Sequence, residues 1–219
     1  MKKLFLLFAL QMPFLAGAGE RNPSCCVTNN GRASSEAFSR GASAASPTAF
    51  SDKSLYQLDS EWNSADGRKL KLAELKGKPQ VVTMFFARCE LACPILVHDA
   101  KRIEAALPQD LRSKVGFVLV SFDSERDTPE VLRDYRQRQD LNAATWTLLQ
   151  GKPDDVLELG ALLGVKFKKD AQGQFAHSNV ITVLNPAGEI VYQLNGLNLD
   201  VTPAIHAIQT SLAGPLHLK

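Results

Sequence analysis

Two runs of consecutive β-forming apolar residues, Gln80–Phe86 (QVVTMFF) and Val115–Phe122 (VGFVLVSF), constrain the fold more than any other feature of the chain. Neither alternates apolar with polar residues, so both read as strands buried on two faces rather than one. Between them, Cys93–Leu107 places Ile95, Ile103 and Leu107 at helical spacing. Thr128-Pro129-Glu130 opens a second helix, with Thr as N-cap, Pro at the first helical position and an acid in the first turn. A third strand is expected at Thr145–Leu149 and a further helix at Pro153–Leu163. Val180–Leu184, the turn Asn185-Pro186-Ala187-Gly188 and Glu189–Leu194 form a hairpin, with Pro and Gly placed as a type I turn requires. Thr202-Pro203 is expected to cap the last helix as Thr128-Pro129 caps the earlier one. In front of all this, Ala65-Asp66-Gly67 within Glu61–Leu72 signals another hairpin, and Leu72–Leu75 a short helical turn ended by Gly77. Strands alternating with helices imply a largely parallel α/β sheet covered on both faces, with antiparallel strands added by the hairpins. Trp62 and Trp146 are assigned to the core.

The two ends differ from this packed region. Lys2-Lys3, the apolar stretch Leu4–Leu15 and the small residues Ala16-Gly17-Ala18 have the layout of a signal peptide, residues 1–18. The stretch is too short to span about 30 Å of hydrocarbon, and Gln11 and Pro13 interrupt it. The mature chain is therefore expected to be exported and not membrane-spanning, in the periplasm or facing the outer side of the cytoplasmic membrane, where cysteines act as disulfides, metal ligands or redox centres. Residues 19–53 read as a flexible tether: no Leu, Ile or Met occurs from Gly19 to Ser51, and the stretch holds Cys25-Cys26. Residues 54–219 form the packed domain. The 25 Lys+Arg and 23 Asp+Glu give +2, and Lys2 and Lys3 account for that excess. A neutral mature chain has no global field to draw it onto nucleic acid or an anionic membrane.

Chemistry concentrates at Cys89-Glu90-Leu91-Ala92-Cys93-Pro94, at the carboxyl end of the first buried strand, where open α/β sheets build their sites. Pro94 disfavours a helical Cys93, so Cys93 is expected near the helix N-cap and Cys89 in the loop before it. The helix N-terminus, together with Arg88 if it points inward, is expected to favour thiolate, the form that ligates metal or attacks a disulfide. Two thiolates satisfy a soft ion such as Cu(I), whereas a divalent ion asks for more ligands, often imidazole. A structural disulfide or a pair of buried core thiols remains open at this point. His177, just ahead of the strand Val180–Leu184, is expected in a loop that parallel strands bring beside Cys89. His98 falls about 140° round a helix from Cys93, off the shared face. His206 and His217 lie in the last helix and the tail.

Three runs in order now resemble the Sco/SenC family, copper-binding assembly factors for cytochrome c oxidase with a thioredoxin-like fold. They are Phe85-Phe86-Ala87-Arg88-Cys89-Glu90-Leu91-Ala92-Cys93-Pro94, then Ser121-Phe122-Asp123-Ser124-Glu125-Arg126-Asp127-Thr128-Pro129-Glu130, then His177-Ser178 before a strand ending in Asn185-Pro186-Ala187-Gly188. The resemblance covers about Leu55 to Ala213. It implies an α/β, thioredoxin-like fold, with a central mixed sheet flanked by helices and an N-terminal hairpin. It further implies one copper ion, Cu(I) or Cu(II), per chain, held by Cys89, Cys93 and His177, with Asp123 behind the ligands. A metallochaperone of this kind is not an enzyme in the turnover sense. Its partners would be cytochrome c oxidase subunit II, the recipient of the copper, and other copper chaperones. Relatives commonly carry an acid before the ligand His, and Ala176 stands there in this chain. The alternative is a thiol–disulfide oxidoreductase cycling Cys89 and Cys93 to reduce the cysteines of the oxidase copper site. Such reductases usually have two residues between the cysteines, not three. A peroxidase of the peroxiredoxin type would need Thr where Phe86 stands, and a zinc site a fourth protein ligand.

Overall fold

The computed structural model describes residues 50–214; the expected signal peptide 1–18, Cys25 and Cys26 of the expected tether, and His217 lie outside the described residues. The two apolar runs become β3 (Gln80–Phe85) and β4 (Gly116–Ser121), and every residue of both is buried. They pair in parallel, from Gln80 opposite Gly116 to Phe85 opposite Ser121. Gly116 admits that pairing: a Cβ there would lie 1.9 Å from the Gln80 Oε1. A third parallel strand, β5 (Trp146–Gln150), adds to β4. The N-terminal hairpin, β1 (Glu61–Ser64) and β2 (Lys69–Lys71), joins antiparallel to β5. On the opposite side β8 (Val180–Leu184) runs antiparallel to β3, and β9 (Ile190–Asn195) antiparallel to β8. The result is a seven-stranded mixed sheet in the order β2-β1-β5-β4-β3-β8-β9.

Helices cover both faces, as strands without a polar face require. Successive side chains of β3 point to opposite faces. Phe85 meets Tyr135 of α3 (Pro129–Arg138), ring centroids 4.9 Å apart. On the same face Phe117 stacks on Trp146, whose indole N–H donates to Glu104 of α1 (Ala92–Ala106) at 2.8 Å. α5 (Thr202–Ala213) lies beside α1. Met84 points to the other face, toward Gly160 of α4 (Pro153–Leu162). There Leu55 and Leu72, from the 3₁₀ turns Leu55–Gln57 and Leu72–Leu75, complete the cover. A four-residue turn of helix, α2 (Gln109–Arg112), links α1 to β4. Trp62 and Trp146 are core residues. The packed region also takes in Phe50–Lys53: Phe50 sits edge-on to Tyr56, and the Ser51 hydroxyl bonds Glu189.

Three expectations change. Thr128 caps α3, accepting from the Val131 N–H, but Thr202 does not cap α5. Its N-cap is Val201, because the Asp200 carboxylate accepts both the Thr202 N–H and the Thr202 hydroxyl. The segment before β8 is a small hairpin rather than a loop: β6 (Phe167–Lys169) pairs antiparallel with β7 (Phe175–His177), separate from the main sheet. Finally, β8 is antiparallel to β3. That direction is what brings the start of β8 to the carboxyl end of β3; a parallel strand would have carried His177 to the far edge.

Candidate metal centre

β3 delivers the cysteine loop to the sheet edge and α1 continues from it. Leu91 is the helix N-cap, Cys93 lies in the first turn and Cys89 in the preceding loop. The first-turn N–H of Cys93, one of the donors a helix start leaves free, points at the Cys89 Sγ, 3.2 Å away. Cys93 is fully buried and Cys89 half-buried. His177, the last residue of β7, brings its Nε2 to 3.5 Å from the Cys93 Sγ. The three ligand atoms lie within 4.8 Å of one another, and both thiols are free.

The imidazole is held in the orientation a ligand needs. Its Nδ1 lies 3.1 Å from the Ser178 carbonyl, which can only accept, so Nδ1 carries the proton and Nε2 turns its lone pair toward the thiols. The Ser178 carbonyl thus orients the ring with Ala176, not an acid, before it. Phe122 and Phe86 pack against the ring, at centroid distances of 5.1 and 6.2 Å. Phe175 packs against both phenylalanines and closes the apolar side of the site. On the sheet side, the buried Thr83 hydroxyl donates to the Val180 carbonyl at 2.7 Å, fixing the chain three residues beyond His177.

The thiol electrostatics differ from expectation. Burial pushes the Cys93 thiol up, and this outweighs the favourable backbone contact from Phe86. The helix N-terminus serves Cys89 through the Cys93 N–H, and Arg88 is exposed. A buried thiol surrenders its proton when a cation takes the proton's place, so a bound metal, rather than the helix, would complete the deprotonation of Cys93.

Asp123 is buried, and its carboxylate accepts from the Arg126 Nε and lies 3.9 Å from the Lys169 Nζ. Among the described residues it bonds none of the three ligands. The aspartate that touches the cysteine loop is Asp127, which belongs to the same motif run but was assigned no role from the sequence. Its Oδ2 accepts from the Ala87 N–H at 2.8 Å and the Ser121 hydroxyl at 2.6 Å, while Oδ1 is buried without a partner. Both aspartates belong to the run Asp123–Asp127, and only the direction of the chain after β4 shows which one turns inward. The aromatic wall of Phe86, Phe122 and Phe175 was equally hidden, since its members come from three distant segments. His98 and His206 are exposed.

The SCO1/SenC family model matches residues 51–213. A Stutzerimonas stutzeri protein named "putative copper-binding protein" is 27% identical over 120 residues, 53% of this chain and 57% of that protein. The chain thus spans little more than half the length of that relative. Yeast Sco1, solved with copper bound, superposes with a TM-score of 0.60 at 21% identity, covering 73% of this chain and 89% of that one. BsSco, a member of the Sco family of cytochrome c oxidase assembly proteins in which a disulfide switch was identified, gives 0.60 at 20% identity, over 69% and 90%. At these identities the structural likenesses establish the thioredoxin-like arrangement of sheet and helices.

Proposed function

Because the chain belongs to the SCO1/SenC family, we propose that it is a copper metallochaperone, binding one copper ion per chain through Cys89, Cys93 and His177. The observation that carries this reading is the convergence of two thiols and one oriented imidazole within 4.8 Å. The donor set fits copper: two sulfurs satisfy Cu(I) alone, and the added nitrogen suits Cu(II). Three donors at a half-buried edge leave room for an incoming ligand, which a cargo site needs and a closed structural site lacks. The recipient on this reading is the binuclear copper site of cytochrome c oxidase subunit II, reached by ligand exchange, with other copper chaperones as suppliers. The signal-peptide layout of residues 1–18 supports an exchange in the periplasm or at the outer side of the cytoplasmic membrane. Among the described residues no helix is long and apolar enough to cross a membrane.

The same thiol proximity favours a second reading, a dithiol that reduces the recipient's cysteines while closing to a disulfide itself. His177 separates the two, because exchange needs a thiolate and no imidazole. Purified wild type is expected to bind one Cu(I) or one Cu(II), and His177→Ala to retain Cu(I) while losing the thiolate-to-Cu(II) absorption. Full Cu(II) binding by His177→Ala would remove His177 from the ligand set. In a strain lacking the protein, oxidase activity should fall at low copper and return in part with added copper. Restoration by a small thiol, and not by copper, would support the reductase.

A further inference from the structure

His177 stands on a hairpin that does not determine its own position. β6 and β7 have three residues each and pair only with one another, and an isolated two-stranded hairpin is marginal in water. At one end it is tied by Ser178, whose N–H donates to the Lys166 carbonyl at 2.8 Å. Its far end is the turn between β6 and β7. The Asp170 carboxylate and backbone satisfy that turn internally, accepting from the N–H groups of Gln172, Gly173 and Gln174. The Gly173 carbonyl points outward, and the Nη2 of Arg126 donates to it.

Arg126 is itself held. Its Nε donates to the carboxylate of Asp123, which lies two residues beyond the end of β4 and is buried. The Asp123 backbone is fixed in turn by the Ser121 hydroxyl, which accepts its N–H at 3.0 Å. One guanidinium therefore bridges the rigid end of β4 to the tip of the hairpin. Gly173 makes the approach possible: it has φ +77, and a Cβ there would lie 2.8 Å from the Arg126 Nη1. Beside this bridge, Lys169 of β6 donates to Glu125 at 2.7 Å, a contact open to solvent and worth little by comparison.

We propose that Arg126, oriented by Asp123, is a positioning residue for the His177 imidazole: it clamps the turn of the hairpin and so sets where Nε2 stands relative to the two thiols. The inference builds on the copper reading above. The clamp depends on the forked geometry of guanidinium, because Nε must reach the carboxylate while Nη2 reaches the carbonyl. An ammonium at the end of a flexible stem cannot hold both in one plane. Positive charge alone is therefore not sufficient.

The test compares wild type with Arg126→Lys, Arg126→Met and Asp123→Asn. Three quantities are read: amide hydrogen exchange of residues 170–178 in copper-free protein, Cu(II) affinity with its thiolate absorption, and Cu(I) affinity. Both Arg126 variants are expected to exchange faster in the hairpin and to lose about 10- to 100-fold in Cu(II) affinity, the usual effect of freeing a ligand's support. Cu(I) affinity should stay at the wild-type value, since the thiols do not depend on the hairpin. Asp123→Asn should move the same quantities in the same direction by less. Wild-type exchange and wild-type Cu(II) binding in Arg126→Lys would overturn the proposal, and so would an equal loss of Cu(I) and Cu(II) in all three variants. If wild type bound neither Cu(I) nor Cu(II), the copper reading would fall on its own, and the hairpin exchange rates would still decide whether Arg126 is a clamp.

Discussion

The thiols and the imidazole reach one site from regions built in opposite ways. Cys89 and Cys93 come after β3, a fully buried strand hydrogen-bonded to β4 on one side and β8 on the other. Cys93 is itself part of the core. His177 ends a three-residue strand outside that sheet, half-exposed, and is placed by aromatic contacts, a backbone carbonyl and a clamp at the far turn. One site can thus have a fixed half and an adjustable half. On the proposed copper reading, a fixed pair of thiols would keep Cu(I) whatever the hairpin does, and a hairpin held by a few side chains would let the third ligand be gained or given up as cargo leaves.

The sharpest way to break this contrast is to cut equal side chains from the two regions. Phe85 is fully buried against Tyr135, so Phe85→Ala should cost about 3–5 kcal/mol in urea unfolding of the copper-free protein. Phe175 is half-buried on the hairpin, and Phe175→Ala should cost about 1 kcal/mol globally. Its effect should concentrate in local exchange of residues 167–177. Equal costs would mean that the hairpin unfolds only with the sheet, and the adjustable half would disappear.

The same contrast explains how much of the molecule is legible in its sequence. QVVTMFF and VGFVLVSF announce their strands because burial on two faces leaves an unbroken apolar run, and the end of the first run locates the cysteine loop. Phe167-Lys168-Lys169 and Phe175-Ala176-His177 leave no such run: three residues, partly wet, carry no period long enough to detect. His177 is identifiable by type and by resemblance, but the expectation that parallel strands bring it to the cysteines is wrong. Strand direction is a long-range property of the β3–β8 pairing, and a local apolar pattern does not encode it. The Arg126 clamp is invisible for a related reason, since its acceptor is a backbone carbonyl 47 residues away.

A smaller effect sharpens the comparison at the ligands themselves. If Cys93 belongs to the core, Cys93→Ser should destabilise the metal-free protein by about 1–3 kcal/mol, because a hydroxyl is buried where a weakly polar thiol was. His177→Ala removes a half-exposed ring and should change unfolding by less than about 1 kcal/mol. Urea curves of both variants without copper check this. A His177→Ala loss as large as that of Cys93→Ser would show the imidazole to be structural before it is a ligand.

The smallest effect concerns the two aspartates that serve the two halves from one loop. Asp123, on the hairpin side, faces the cations Arg126 and Lys169. Asp127, on the thiol side, is buried on the Ala87 N–H and the Ser121 hydroxyl, and forms no ion pair among the described residues. Burial is the larger influence and raises the Asp127 carboxyl above its ordinary value of 3.8, with the two hydrogen bonds opposing it. The folded chain therefore holds this proton more tightly than the unfolded chain does. Its stabilising contribution is complete below the ordinary value and is lost as pH rises through the raised one, so near neutrality the carboxylate burdens the fold. Asp127→Asn keeps an oxygen for Ala87 and Ser121 and removes the charge. It should stabilise the copper-free protein by about 1 kcal/mol at neutral pH, the scale of one buried polar imbalance. That gain should shrink as the pH falls toward the carboxylate range, where wild type becomes neutral too. Urea midpoints of both proteins across this range decide the matter. A variant less stable at neutral pH, with the gap closing in acid, would mean that the charged hydrogen bond to Ala87 outweighs burial. The cysteine loop would then hang on a carboxylate much as the hairpin hangs on Asp123 through Arg126.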